Sequence, residues 1–225
     1  MGRWSDVWIL RMTRPLTTTL RSRRRSRSSG ILATIALSLL VVASPAAAAG
    51  PPYPSPVAGQ HVYDTAGVLS VATVAEAERI AGGIEARTGS RVVVYTQLKP
   101  ESDTPTAAEA DARALIDQWR IGRTGLDDGL VVLFDLDESL RHGQVQLYAG
   151  SGFDAAYLSA SQRQTIFEDV MLPLLRTGDL DGALLASLQE IDKAATVDHA
   201  QALEGSNAVS EILAFLVSLI RAIFG

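Results

Sequence analysis

The sequence predicts a small layered α/β domain with a mixed sheet flanked by helices, preceded by an N-terminal signal peptide and followed by a C-terminal hydrophobic helix. Three observations predict it. A short apolar run, "LVVLFD" (130–135), has the length of a strand buried on both faces of a sheet, and "RVVVYTQL" (91–98) reads as another strand. Around them, apolar residues recur at helical spacing behind residues suited to capping. A further run, "GQVQLYA" (143–149), alternates apolar with polar residues and follows its predecessor after a short acidic turn, which makes the two an antiparallel hairpin.

Taken in order, the first 49 residues of the 225 carry eight arginines and one acid, then the apolar run "ILATIALSLLVVA" (31–43), then "SPAAAAG". This pattern reads as a signal peptide over 1–49, with small residues suited to cleavage near Ala48 or Ala49. The apolar run is well short of the roughly 20 residues that cross a bilayer. "GPPYPSPVAG" begins a proline-rich linker over 50–60. The domain proper then spans 61–196.

Within it, Ser70 is placed to cap a helix that runs to Gly89, with Val74, Ile80 or Ala81, and Ile84 facing inward. The first buried strand follows. Thr104 and Pro105 open a second helix whose Ala108, Ala112, Leu115, Ile116 and Trp119 form one stripe. After the hairpin, Ser159 and Gln162 make a capping box for a third helix, with Ile166, Phe167, Val170, Met171, Leu174 and Leu175 as its buried stripe and Pro173 as a kink. Asp179 caps a fourth, carrying Leu180, Leu184, Leu188 and Ile191. A polar linker over 197–208 leads to "VSEILAFLVSLIRAIFG" (209–225), a hydrophobic, membrane-associating helix. It either spans, with Glu211 and Arg221 reaching toward opposite interfaces, or lies on a surface as an amphipathic or oligomerising helix.

Composition narrows the chemistry. The net charge is −5 although the leader is strongly basic, so the remainder is acidic and argues against nucleic acid as a partner. With no cysteine, disulfides, thiolate metal sites and cysteine nucleophiles are excluded. His61, His142 and His199 are scattered and offer no transition-metal cluster.

The strand ending "LVVLFDLDES" resembles the first motif of haloacid dehalogenase phosphatases, in which Asp135 would attack and Asp137 would act as general acid. The later "GDLD" follows a helix and Lys193 comes after it, so the order of parts fails and the segment reads as a hairpin turn rich in acids. "GSGFDA" has no second strand with a terminal acid behind it to complete a dinucleotide site. Ser151 lacks the GxSxG setting of a hydrolase nucleophile. What remains is geometric: a hairpin brings "GLDDG" (125–129) and "GSGFD" (150–154) to one edge, so Asp127, Asp128 and Asp154 crowd a glycine-lined rim. Three carboxylates there are either solvated or bridged by a hard cation, with carbonyls near Gly150 and Gly152 as further ligands.

At these residues the chain resembles the TPM domain family. The resemblance is carried by "VYDTAGVLS", "TGSRVVVYT", "QWRIGRTGLDDGLVVLF", "GSGFD" and "MLPLLRTGDLDGAL", in that order. Asp127 and Asp128 take the DN positions of the family's pattern, and Asp154 takes the glutamate of its GYGLEG. Asp128 replaces an asparagine there and Ser151 a tyrosine; Asp64 also matches, and reads as a local turn residue. The resemblance implies an α/β/α sandwich that binds a divalent cation, calcium with magnesium as the alternative, at Asp127, Asp128 and Asp154. It further implies an exported protein at the outer face of the cytoplasmic membrane, in the cell envelope, with a protein partner there. An accessory or maintenance role for envelope proteins is the expected function, with no catalytic residue assigned. The alternative is a metal-assisted acid phosphatase using the same rim.

Overall fold

The computed structural model describes residues 49–224. The predicted signal peptide therefore lies, but for Ala49, outside the described residues. Four strands form one sheet in the order β1 (Val62–Asp64), β2 (Val92–Leu98), β3 (Leu130–Leu136), β4 (Gly143–Ala149). The first three are parallel and β4 is antiparallel to β3, which makes the sheet mixed as expected. Helices α1 (Val71–Thr88) and α2 (Pro105–Trp119) are the crossovers between the parallel strands.

Alternation along the strands sorts the core into two layers. Val92, Val94, Leu130, Val132 and Phe134 face α1, the segment around Met171, and α6 (Leu180–Ala194). Val93, Tyr95, Val131 and Leu133 face Ala112, Leu115 and Ile116 of α2. The result is the expected α/β/α sandwich. Each predicted helix start is present: the Ser70 side chain accepts from Thr73 N, Thr104 from Ala107 N, and Asp179 from Gly182 N, while Ser159 and Gln162 form the reciprocal box.

Three segments differ from expectation. The proline-rich stretch is not a free linker. It is a strap over α2, in which the backbone N–H of buried Tyr53 donates to Gln118 Oε1 (2.8 Å), Gln118 Nε2 donates to Tyr53 O (2.6 Å) and Trp119 Nε1 donates to Pro54 O (2.8 Å). The expected polar linker 197–208 is helical and continuous with the apolar segment, so that α7 runs Val197–Phe224. The third helix is not one kinked rod. After α3 (Ser151–Ala156), α4 (Ala160–Thr165) passes into a π-helical turn, Ile166–Met171, and then α5 (Leu172–Leu175). Pro173 has no N–H for the carbonyl four residues back, and the wider turn just before it absorbs the mismatch.

Candidate functional site

The hairpin does bring the predicted rim together. Leu130 pairs with Ala149, so the chain before β3 meets the chain after β4: Gly150 N donates to Gly129 O at 2.9 Å and Gly152 N to Asp127 O at 3.0 Å. The glycines serve that approach. A Cβ on Gly150 would lie 2.3 Å from Asp127 O, and one on Gly152 only 1.8 Å from Leu126 O. Their absent side chains thus admit a neighbouring backbone.

The three carboxylates go to three different partners. Asp127, exposed and in the left-handed region at φ 51°, accepts from Ser151 N (2.6 Å) and Ser151 Oγ (2.8 Å). It caps α3 from outside, a helix whose own N-cap, Gly150, has no side chain to offer. Asp128 is fully buried. One oxygen accepts from Arg123 N at 2.7 Å, the other from Arg123 Nε at 2.8 Å and Ser90 Oγ at 2.7 Å, with Ser90 in turn 3.0 Å from the Tyr157 hydroxyl. Asp154 pairs with Arg163, a buried arginine that also donates to Leu147 O and Leu158 O at 2.8 and 2.7 Å.

A calcium ion takes six to eight oxygens, and magnesium demands near-octahedral ones. Asp127, Asp128 and Asp154, as arranged, do not fit a shared ion, because both oxygens of Asp128 and one oxygen each of Asp127 and Asp154 are committed and two guanidinium groups stand among them. Among the described residues no group of three or more Asp, Glu and His side chains is set to hold a metal. The rim is also tied to α7, since Arg123 bridges buried Asp128 and Glu204. Ala200 of α7 is buried against the domain and the His199 ring lies 6.3 Å from that of Tyr157.

A match of the TPM domain family model covers residues 62–194, from β1 to the end of α6, including the whole rim. The chain belongs to the TPM domain family. Among solved structures, this TPM domain is similar to the N-terminal domain of a protein from P. gingivalis at 24% identity and a TM-score of 0.52, covering 60% of this chain and 82% of that one. That likeness supports the fold. The N-terminal domain of a protein from Corynebacterium glutamicum aligns at 14% identity and a TM-score of 0.46, over 64% of this chain and 85% of that one. No curated protein matches the chain.

At the opposite edge of the TPM sheet, Asp64 is the expected turn residue, accepting from Val68 N (3.1 Å), Leu69 N (3.0 Å) and Thr96 Oγ1 (2.6 Å). Asp137 also holds its turn. Burial works against its ionisation, but hydrogen bonds from Ser139 and the His142 backbone outweigh it and hold the carboxyl below the usual range. Asp135 is different. It is no turn residue but a fully buried strand position beside Gln97 in the parallel register, bonded to Gln97 Nε2 (2.5 Å) and Ser102 Oγ (2.7 Å). A cavity of about 160 Å³ adjoins it, lined by Lys99, Ser102, Asp137, His142 and Gln144 among others.

Proposed function

We propose that this TPM domain is exported and held by α7 at the outer face of the cytoplasmic membrane, where it acts as a non-catalytic accessory or maintenance factor for envelope proteins. The carrying observation is the second half of α7. Ile212, Leu213, Phe215, Leu216, Val217 and Leu219 are 45–67% exposed. Val197–Leu219 is long and apolar enough to cross a membrane by length and composition. Such a continuous apolar surface calls for a lipid or protein environment. The rim stands close to it, because Glu204, the partner of Arg123, precedes Ile212 by about 12 Å of helix. A partner sharing that membrane would therefore meet the rim directly.

Hydrolysis of a phosphate ester there would require carboxylate oxygens free to attack or to hold a metal, and both oxygens of Asp128 and one of Asp154 are bound to arginines. Fractionation of cells producing the full chain tests the tether: it sediments with membranes, and a chain ended after Ala208 does not. Equal fractionation of the two forms refutes it. A melting titration tests the cation, since a ligand at a hundredfold excess over Kd stabilises by about 2.7 kcal/mol. A calcium-dependent rise that Asp127→Asn and Asp154→Asn remove would show an ion displacing Arg163, and sustained metal-dependent turnover of an aryl phosphate would replace the accessory reading with the hydrolytic one.

A further inference from the structure

Gly50 opens the strap and is itself buried. Its N–H donates to Gln97 Oε1 at 2.6 Å, and the other end of the same amide, Gln97 Nε2, donates to Asp135 Oδ1 at 2.5 Å. Its φ is +75°, and a Cβ there would lie 2.6 Å from Lys99 Nζ, so a larger residue would be strained and would crowd that ammonium. Lys99 is already engaged, at 2.6 Å from each oxygen of Asp111. Asp111 and Asp135 are both buried, and one lysine stands between them and charge balance.

Among the described residues lining the adjoining cavity, Lys99 is the one lysine or arginine. Tyr53 donates its hydroxyl to Asp111 O and stays neutral, its ionisation opposed chiefly by burial and then by Asp111 and Asp135. Ser102 donates to Asp135 Oδ2. Asp103 and Asp137 line the adjoining cavity and add negative charge, and His142, which also lines it, lies within 3.4 Å of Asp137. Burial first, and the neighbouring Asp111 carboxylate with it, raise the Asp135 pKa to about 7 against the lowering hydrogen bonds from Gln97 and Ser102. A buried carboxylate in excess of its cations is costly to keep ionised.

We propose that removal of the leader at the Ala49–Gly50 bond converts the Gly50 amide into an α-ammonium that completes this cluster, balancing Asp135 as Lys99 balances Asp111 and locking the strap onto the sheet. The step is peptide hydrolysis: water adds across the bond, leaving a carboxylate on Ala49 and an amine on Gly50. That amine, with an ordinary pKa of about 7.7–8, takes a proton at neutral pH and gains two donors at a position already within hydrogen-bonding distance of Gln97. An amine one residue earlier, on half-buried Ala49, would leave Gly50 N as an amide and miss the cluster. The inference rests on residues 1–49 being removed as a leader and is independent of what the rim binds.

The full chain carrying a specific protease site immediately before Gly50 is melted at neutral pH before and after cleavage, beside a second version whose cleavage leaves Ala49 first. Freeing Gly50 should raise Tm by about 5 °C, the size expected for one charge-assisted hydrogen bond in a domain of this length. It should also move the Asp135 carboxyl titration, followed by carbon NMR, down by about one unit or more. Freeing Ala49 should do neither, and Asp135→Asn should abolish the gain. Equal effects of the two cleavages, no effect of either, or a gain that survives in Asp135→Asn would overturn the inference. So would a chain extracted from membranes that begins elsewhere than Gly50, whereas loss of membrane fractionation would strike only the tether.

Discussion

Asp128 meets Arg123 with both oxygens inside the protein, and that commitment makes it a structural residue of the rim. Asp128→Asn removes a buried charge whose partner Arg123, itself half-buried, keeps Glu204, so it should cost about 2 kcal/mol in urea unfolding, with or without calcium. Asp127→Ala removes only the outside cap of α3 and should cost about 1 kcal/mol. An Asp128→Asn chain as stable as the parent would refute the pairing. The place of these aspartates was legible in the sequence because hairpin pairing dictates it. Their partners were not, since Ser90 lies in the connection between α1 and β2 and nothing local marks it. Arg163 did leave a signal: extending the stripe of Ile166 and Phe167 back by one turn lands on residue 163, which puts its guanidinium on the core face, where Asp154 neutralises it.

At the scale of elements, caps and periodicity were readable, since each depends on residues a few positions apart; packing of irregular chain was not. Proline composition foretells an extended backbone and says nothing of what it lies on. Tyr53 gives the strap its anchor, with its ring 5.2 Å from Tyr95 and 6.4 Å from Trp119. Tyr53→Ala should therefore cost about 3 kcal/mol, whereas Val57→Ala, at a position 56% exposed, should change stability by less than about 0.5 kcal/mol. Parallel unfolding curves for the two variants would check this, and similar stabilities would return the strap to a linker. The helix through 197–208 was hidden for a different reason. Its polar residues suggested a spacer, yet Ala, Gln, Leu and Glu are strong helix formers and the one glycine, Gly205, costs only about 1 kcal/mol.

For the whole molecule, the two edges of the sheet respond to pH differently. At the rim, Asp128 and Asp154 are each paired with an arginine. Asp135 at the opposite edge faces another carboxylate in a buried place, and its folded pKa is raised from 3.8 to about 7. Between those values the folded chain holds a proton that the unfolded chain has released, so stability falls as pH rises through this window. The contribution is fully present below about pH 4, is lost on approaching pH 7, and is flat above it. Other groups titrate in the same range, and Asp135→Asn separates them, because asparagine keeps the shape while remaining neutral. In chains that retain the leader, the parent should lose stability relative to Asp135→Asn as pH rises from about 4 to about 7, the two being nearly equal at the acid end. In chains that begin at Gly50, the added ammonium favours the ionised carboxyl and the divergence should shrink. Melting curves of the four proteins at intervals across that range make the comparison. Parallel pH profiles for parent and Asp135→Asn in both forms would mean that Asp135 stays ionised in the fold, and that the charge balance of this edge is met by Lys99 alone.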